Sequence, residues 1–224
     1  MCLYEAVIFD LDDTLVDWNK AADLMFQIVL EKCYGVDVEP NTASKMLSDF
    51  KKLGNNGYSD KRVVFNTFYK KYPPVYGIPE AEIYTFWDAN FPTCFYPCDE
   101  TIDILGTIKQ FAKLGMITNG RTETQKNKMK SAQLYNLFDS IVVSEEAGIS
   151  KPDKRIFELT LESLNVSSDK AIFIGDNIVK DIGGAQNAKI KGIWFNPKGT
   201  ENKTDIIPFA EIVNLKEVLE HLAI

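Results

Sequence analysis

The chain has 224 residues and a formal net charge of −7, with 45% apolar and 25% charged residues, the balance of a soluble globular protein long enough for one full core and a smaller insertion. The acidic balance argues against a nucleic-acid polymer as partner, because such binders carry a basic face or stripe. No stretch approaches the roughly 18 consecutive apolar residues of a membrane-spanning helix, and "MCLYEAVIFD" lacks the charged and apolar regions of a secretory signal, so no membrane partner and a cytoplasmic location are expected.

Five short apolar runs follow one another along the chain: "EAVIFDL" (5–11), "GMITN" (115–119), "SIVVSE" (140–145), "AIFIGD" (171–176) and "GIWFN" (192–196). Apolar at successive positions and ended by polar or glycine-containing turns, they fit parallel strands buried on both faces. Helical patterns lie between them at about 99–113, 122–134, 153–165 and 179–189, and again at about 214–222. Strand and helix in alternation predict a doubly wound, Rossmann-like α/β fold around a parallel sheet. The alternation stops once, between Asp17 and Pro97, where helical patterns near 18–34, 41–53, 59–71 and 79–90 carry no convincing strand. Residues 17–97 are therefore expected to form a helical cap domain inserted after the first strand, with 1–16 and 98–224 forming the α/β core.

Two absences narrow the chemistry. The only histidine, His221, falls in the amphipathic "LKEVLEHLAI" of the last helix, a poor place for a general base or metal ligand. No G-x-S-x-G elbow, G-x-x-x-x-G-K-[ST] loop or G-x-G-x-x-G fingerprint occurs. Cys2, Cys33, Cys94 and Cys98 show neither zinc nor redox-motif spacing and read as reduced thiols used for packing.

In parallel α/β sheets ligands bind beyond the carboxyl ends of the strands. The first strand delivers Asp10, Asp12, Asp13 and Thr14 there, the second Thr118, Asn119 and Gly120, and the fourth Gly175, Asp176 and Asn177, with Asp181 five positions after Asp176. After the third comes "SEEAGISKPDKRIF", in which Lys151 and Pro152 are expected to open a helix. Crowded carboxylates repel and resist ionisation unless a cation compensates them. A hard divalent ion such as Mg2+ would do so, with its preference for carboxylate, water and phosphate oxygens. A lysine and a threonine hydroxyl beside such a cluster suit a phosphoryl group, where catalysis is mostly positioning and charge neutralisation. With no usable histidine or serine elbow, an aspartate is the best available nucleophile, and a second acid two residues along can serve the leaving oxygen and then water.

Taken together, "FDLDDTL", "ITNG", "SKPDKRIF" and "GDNIVKD" resemble the four ordered motifs of the haloacid dehalogenase superfamily, and they span the chain outside the insertion. The resemblance implies Asp10 as the nucleophile forming an aspartyl-phosphate and Asp12 as general acid/base. It assigns Thr118 and Lys151 to the phosphoryl oxygens; Asn119 and Gly120 read either as a strand-ending turn or, for the main-chain N–H of Asn119, as a further phosphate contact. Mg2+ would be held by Asp10, the main-chain carbonyl of Asp12 and Asp176, with Asp181 supporting from behind or through water. Dehalogenases of this fold typically lack the second aspartate, so Asp12 favours a phosphatase acting on a small phosphate ester. The stretch from "ITNGRTETQ" to "FELTLESL", with "NNGYSDKRVVFNTF", is similar to the branch that dephosphorylates nucleoside monophosphates, including pyrimidine ones; sugar-phosphate and acylneuraminate phosphatases share much of it. A non-catalytic phosphometabolite binder is the reading from a different class.

Other residues have plainer expectations. Asp13 is read as a turn residue and Thr14 as a hydroxyl that steadies the same turn; Asp181 also suits the first turn of a helix. The insertion's Phe26, Phe50, Phe65, Phe68, Tyr69, Phe86 and Trp87 read mainly as core, while Trp18 or Tyr58 has the character to stack on a base or sugar. Lys51, Lys52, Lys61 and Arg62 read as a solvated face.

Overall fold

The computed structural model describes residues 3–54 and 59–224, so Cys2 and Tyr58 lie outside the described residues. The chain divides into two compact units: Met1–Asp17 with Tyr96–Ile224, and Trp18–Phe95.

The first unit is built on β1 (Ala6–Phe9), β2 (Lys113–Thr118), β3 (Ser140–Val143), β4 (Ala171–Gly175), β5 (Lys191–Phe195) and β6 (Ala210–Ile212). They form one sheet in the order β3-β2-β1-β4-β5-β6, and every neighbouring pair is parallel. The chain winds outward from β1 through β2 to β3, then returns to β4 on the other side of β1. The strand order thus reverses between β1 and β4, the switch point where such sheets open a crevice at their carboxyl ends. Both strands are buried along their whole length, as their unbroken apolar sequences require of central parallel strands. One face carries Ile8, Phe157, Leu161, Leu164 and Phe173 in a single cluster. There the ring of Phe157, from the helix at Lys154–Leu164, meets Phe173 of β4 edge-on at 5.2 Å.

Three local features differ from the sequence reading. The sixth strand is three residues long and pairs through Ile193↔Ala210 to Phe195↔Ile212; so short a segment has no alternation to detect. Instead of a regular helix over 179–189, a π-helical turn at Ile178–Gly183 precedes a short helix at Gly184–Asn187. Pro152 does not open a helix either. It follows a cis Lys151–Pro152 peptide in a turn, and the helix begins at Lys154 behind the N-cap Asp153.

The second unit contains α1 (Trp18–Tyr34), α2 (Pro40–Gly54), α3 (Lys61–Lys71) and α4 (Glu80–Asn90). Phe50 lies at its centre, with ring centroids at 5.1 Å from Phe26, 5.2 Å from Phe65, 5.5 Å from Phe68 and 5.2 Å from Trp87. These side chains are buried, whereas Trp18 and Phe86 are partly exposed. Burying aromatics of this size supplies most of a small helical unit's apolar stabilisation. The basic residues are less free than a solvated face implies: Lys51 pairs with Asp23, and Lys61 and Arg62 lie over the rings of Trp18 and Tyr84.

Candidate active site

The site grows from the last hydrogen bond of β1. The Asp10 N–H donates to the Ile174 carbonyl at 2.9 Å, which anchors the residue beside β4 at the switch point. The chain then turns: Asp13 takes a left-handed φ of 57° and its N–H donates to the Val16 carbonyl at 2.8 Å. Asp13 is a turn residue, as its type suggests. The Thr14 hydroxyl does not steady the turn, for its buried oxygen has no hydrogen-bond partner among the described residues.

Three carboxylates and one ammonium meet at this edge. Asp10, Asp176 and Asp181 each offer an oxygen within 4.8 Å of the other two. Lys151 Nζ lies 2.6 Å from Asp10 Oδ1 and 2.7 Å from Asp181 Oδ1. Lys151 is only 4% exposed, Asp10 8% and Asp181 1%, so water screens these charges little. Burial raises Asp10 most, and the neighbouring Asp181 and Asp12 add to it against the opposing pull of Lys151; the outcome is about 7. Asp176 is pushed up to about 8 by burial and then by Asp10, Asp181 and Asp13. For Lys151 burial alone would lower the ammonium, but Asp10 and Asp181 together outweigh it and hold it above its ordinary value.

One lysine stands against three acids, and burial first, then the repulsion among these carboxylates, raises Asp10 and Asp176. Asp181 Oδ1 is in close charge contact with Lys151 at 2.7 Å, and no well-aligned hydrogen bond reaches it among the described residues. The donor set is all oxygen and partly buried. It fits a hard divalent cation such as Mg2+ and lacks the nitrogen or sulfur that softer metals prefer.

Neighbouring main chain fixes these side chains. Gly175 makes room for Asp181: a Cβ there would stand 2.5 Å from Asp181 Oδ2 and 2.6 Å from its Cβ and Cγ. Asp181 Oδ2 accepts from the Asn177 N–H at 2.9 Å. Asn177 Oδ1 in turn accepts from Val179 and Lys180 N–H at 3.2 and 2.9 Å, starting the π-helical turn. The Trp194 indole donates to the Asp176 carbonyl at 2.7 Å. Asp181 thus lies in the first turn of that π-helical element, as its type suggests, and is at the same time a buried member of the cluster.

Thr118 ends β2 almost fully buried. The Asn119 side chain is more committed than a main-chain role alone implies. Its Nδ2 donates to the Lys151 carbonyl and its Oδ1 accepts from the Lys151 N–H, so it holds the loop that carries the lysine.

Asp12 stands apart from this cluster and is held by partners that the sequence reading did not single out. Lys128 Nζ lies 2.7 and 2.8 Å from its two carboxylate oxygens, and Gln125 Nε2 donates to Oδ2 at 2.9 Å. Both belong to the helix Thr122–Ser131, which turns Gln125, Lys128 and Met129 inward. The available signal was the i, i+3 spacing of Gln125 and Lys128 beside Met129, a polar face that nonetheless lies on the buried side.

Comparison with known proteins bears on the family and the fold. A family model described as haloacid dehalogenase-like hydrolase matches residues 7–195. The magnesium-bound crystal structure of the hydrolase YfnB from Bacillus subtilis superposes with a TM-score of 0.78 at 27% identity, over 99% of both chains. The glyceraldehyde 3-phosphate phosphatase of Pyrococcus furiosus is 28% identical over 97% of this chain and 92% of its own. The pyrimidine 5'-nucleotidase PynA of Streptococcus pneumoniae is 27% identical over 98% and 95%. With six parallel strands in this order, an acidic cluster at the switch point and a family match across most of its length, the chain belongs to the haloacid dehalogenase-like hydrolases.

Proposed function

We propose that the protein is a Mg2+-dependent phosphomonoesterase that hydrolyses a small phosphorylated metabolite through an aspartyl-phosphate on Asp10. The observation that carries this reading is the buried contact of Asp10 with Lys151 beside Asp176 and Asp181, with a second acid, Asp12, two residues along the same strand end. Asp10 attacks phosphorus while Asp12 gives its proton to the departing oxygen. Water then opens the aspartyl-phosphate, with Asp12 taking the proton of that water.

Lys151 and the Thr118 hydroxyl balance and bind the phosphoryl oxygens, joined by the Asn119 N–H. Asp10, the Asp12 carbonyl and Asp176 would hold Mg2+, with Asp181 supporting them. Bound there, the ion supplies positive charge that offsets the three carboxylates and the phosphoryl group. No helix among the described residues is long and apolar enough to cross a membrane.

For the substrate we infer a nucleoside 5'-monophosphate, whose nucleoside is the leaving group, supported by the pyrimidine nucleotidase similar along nearly the whole chain. A sugar phosphate is the second reading, favoured by the glyceraldehyde 3-phosphate phosphatase at nearly equal identity. Inorganic phosphate release across nucleotides and sugar phosphates, with and without Mg2+, tests both. Asp10→Asn should abolish turnover while keeping the fold, since the exchange preserves size. Metal-independent turnover, chloride release from a 2-haloacid, or full activity in Asp10→Asn would overturn the proposal.

A further inference from the structure

We infer that Lys128 and Gln125 are positioning residues that hold the Asp12 carboxylate in its working orientation, an inference that rests on the proposed acid/base role of Asp12. The pair is built rather than incidental. Lys128 is 4% exposed and Gln125 2%, on a helix whose mean composition is strongly polar and whose inward face would ordinarily be filled by leucine or methionine. Burying an ammonium is costly unless its partner geometry is good. Here both Asp12 oxygens lie within 2.8 Å of Lys128 Nζ.

Gln125 links two parts of the proposed machinery. One Nε2 proton goes to Asp12 Oδ2 at 2.9 Å and the other to Thr118 Oγ1 at 2.5 Å. Having accepted that bond, Thr118 has its own hydroxyl proton to direct at a phosphoryl oxygen. Gly120, at φ +148°, lets the glutamine stem pack close, for a Cβ there would lie 3.1 Å from Gln125 Cγ and Cδ. The helix thereby fixes the rotamer of Asp12 through three donor contacts and aims Thr118 through a fourth. The carboxylate so held is the form Asp12 takes after giving its proton to the leaving oxygen, and the form in which it accepts a proton from water.

The leaving group separates this role from a structural one. An aliphatic phosphate ester needs its departing oxygen protonated, whereas p-nitrophenyl phosphate releases a stable phenolate and does not. kcat/KM reports the enzyme through the first phosphoryl transfer, so it is compared for p-nitrophenyl phosphate and the best aliphatic ester of the panel. For Lys128→Met the aliphatic value should fall about 100-fold, the scale of a misplaced catalytic group. The aryl value should fall by no more than about fivefold, and Lys128→Arg should recover part of the aliphatic loss. Gln125→Leu should shift the ratio in the same direction, which keeps the test decisive if Lys128→Met fails to fold by circular dichroism. Asp12→Asn is the control. If Asp12→Asn slows both esters equally, the acid role of Asp12 is wrong. If Asp12→Asn discriminates while the folded Lys128 and Gln125 variants slow both equally or neither, the positioning role is wrong.

Discussion

The carboxamide of Asn119 clasps the main chain of Lys151 from both sides, donating to its carbonyl at 3.0 Å and accepting from its N–H at 2.9 Å. These two bonds join the end of β2 to the turn after β3 and set the height at which the Lys151 ammonium meets Asp10 and Asp181. Asn119→Ala should therefore lower kcat/KM for phosphate release by about 10- to 100-fold, since a displacement near 1 Å costs that much at a reacting centre. Stability should fall by about 1–3 kcal/mol through the unpaired main-chain groups. An alanine variant within twofold of the parent in kcat/KM would show that Lys151 needs no such clasp.

A second dependence runs through a missing side chain. At Gly175 an added Cβ would overlap the Asp181 carboxylate at 2.5 to 2.6 Å, closer than non-bonded atoms stand. Gly175→Ala should push Asp181 out of the cluster and weaken Mg2+ binding by about 10- to 100-fold, the usual scale for losing a supporting partner of a metal ligand. Isothermal titration with Mg2+ reads this directly. Unchanged affinity in a folded Gly175→Ala variant would mean that Asp181 takes no part in holding the ion.

What was legible in the sequence follows from how local each signal is. β1 and β4 are apolar at every position because both faces are covered, and their polar C-terminal neighbours Asp10 and Asp176 stand out for that reason. The partners of Asp12 carry no comparable signal. Gln125 and Lys128 sit in "TETQKNKMKS", which reads as an exposed helix, and their bonds to Asp12 join residues 113 and 116 positions apart. Only the folded chain reveals which polar face points inward. The π-helical turn at Ile178–Gly183 is similarly hidden, because it depends on Asn177 capping Val179 and Lys180 while Asp181 turns back to accept from the Asn177 N–H.

Metal binding should register in stability as well as turnover. Among the described residues one ammonium pairs with the three-carboxylate cluster, so a divalent cation held there as proposed would bind the folded chain and not the dispersed ligands of the unfolded one. Mg2+ at a hundred times its dissociation constant should raise the unfolding free energy by about 2.7 kcal/mol. Asp176→Asn, which keeps the shape and removes one charge, should lose most of that gain. Urea unfolding with Mg2+ and with chelator measures it, and coincident curves for the parent protein would rule out an ion at these residues.

Acid stability offers a check two residues beyond Lys151, at the start of the helix Lys154–Leu164. Asp153 caps that helix: its Oδ1 accepts from the Arg155 N–H at 3.0 Å, and the Arg155 guanidinium reaches Oδ2 at 2.5 Å. The guanidinium bonds, followed by the main-chain N–H, hold this carboxyl down at about 2 against an ordinary value of 3.8. The folded state therefore binds this proton less readily than the unfolded chain does. Its contribution to stability is present above 3.8 and is lost as pH falls from there through about 2. Asp153→Asn keeps a side-chain oxygen suited to the cap but has no charge to lose. The stability advantage of the parent over Asp153→Asn, measured by urea unfolding, should hold steady from neutral pH down to about pH 5 and then shrink toward pH 2. An advantage that stayed constant over that acidic range would show that the Arg155 contact does not depend on the charge of Asp153.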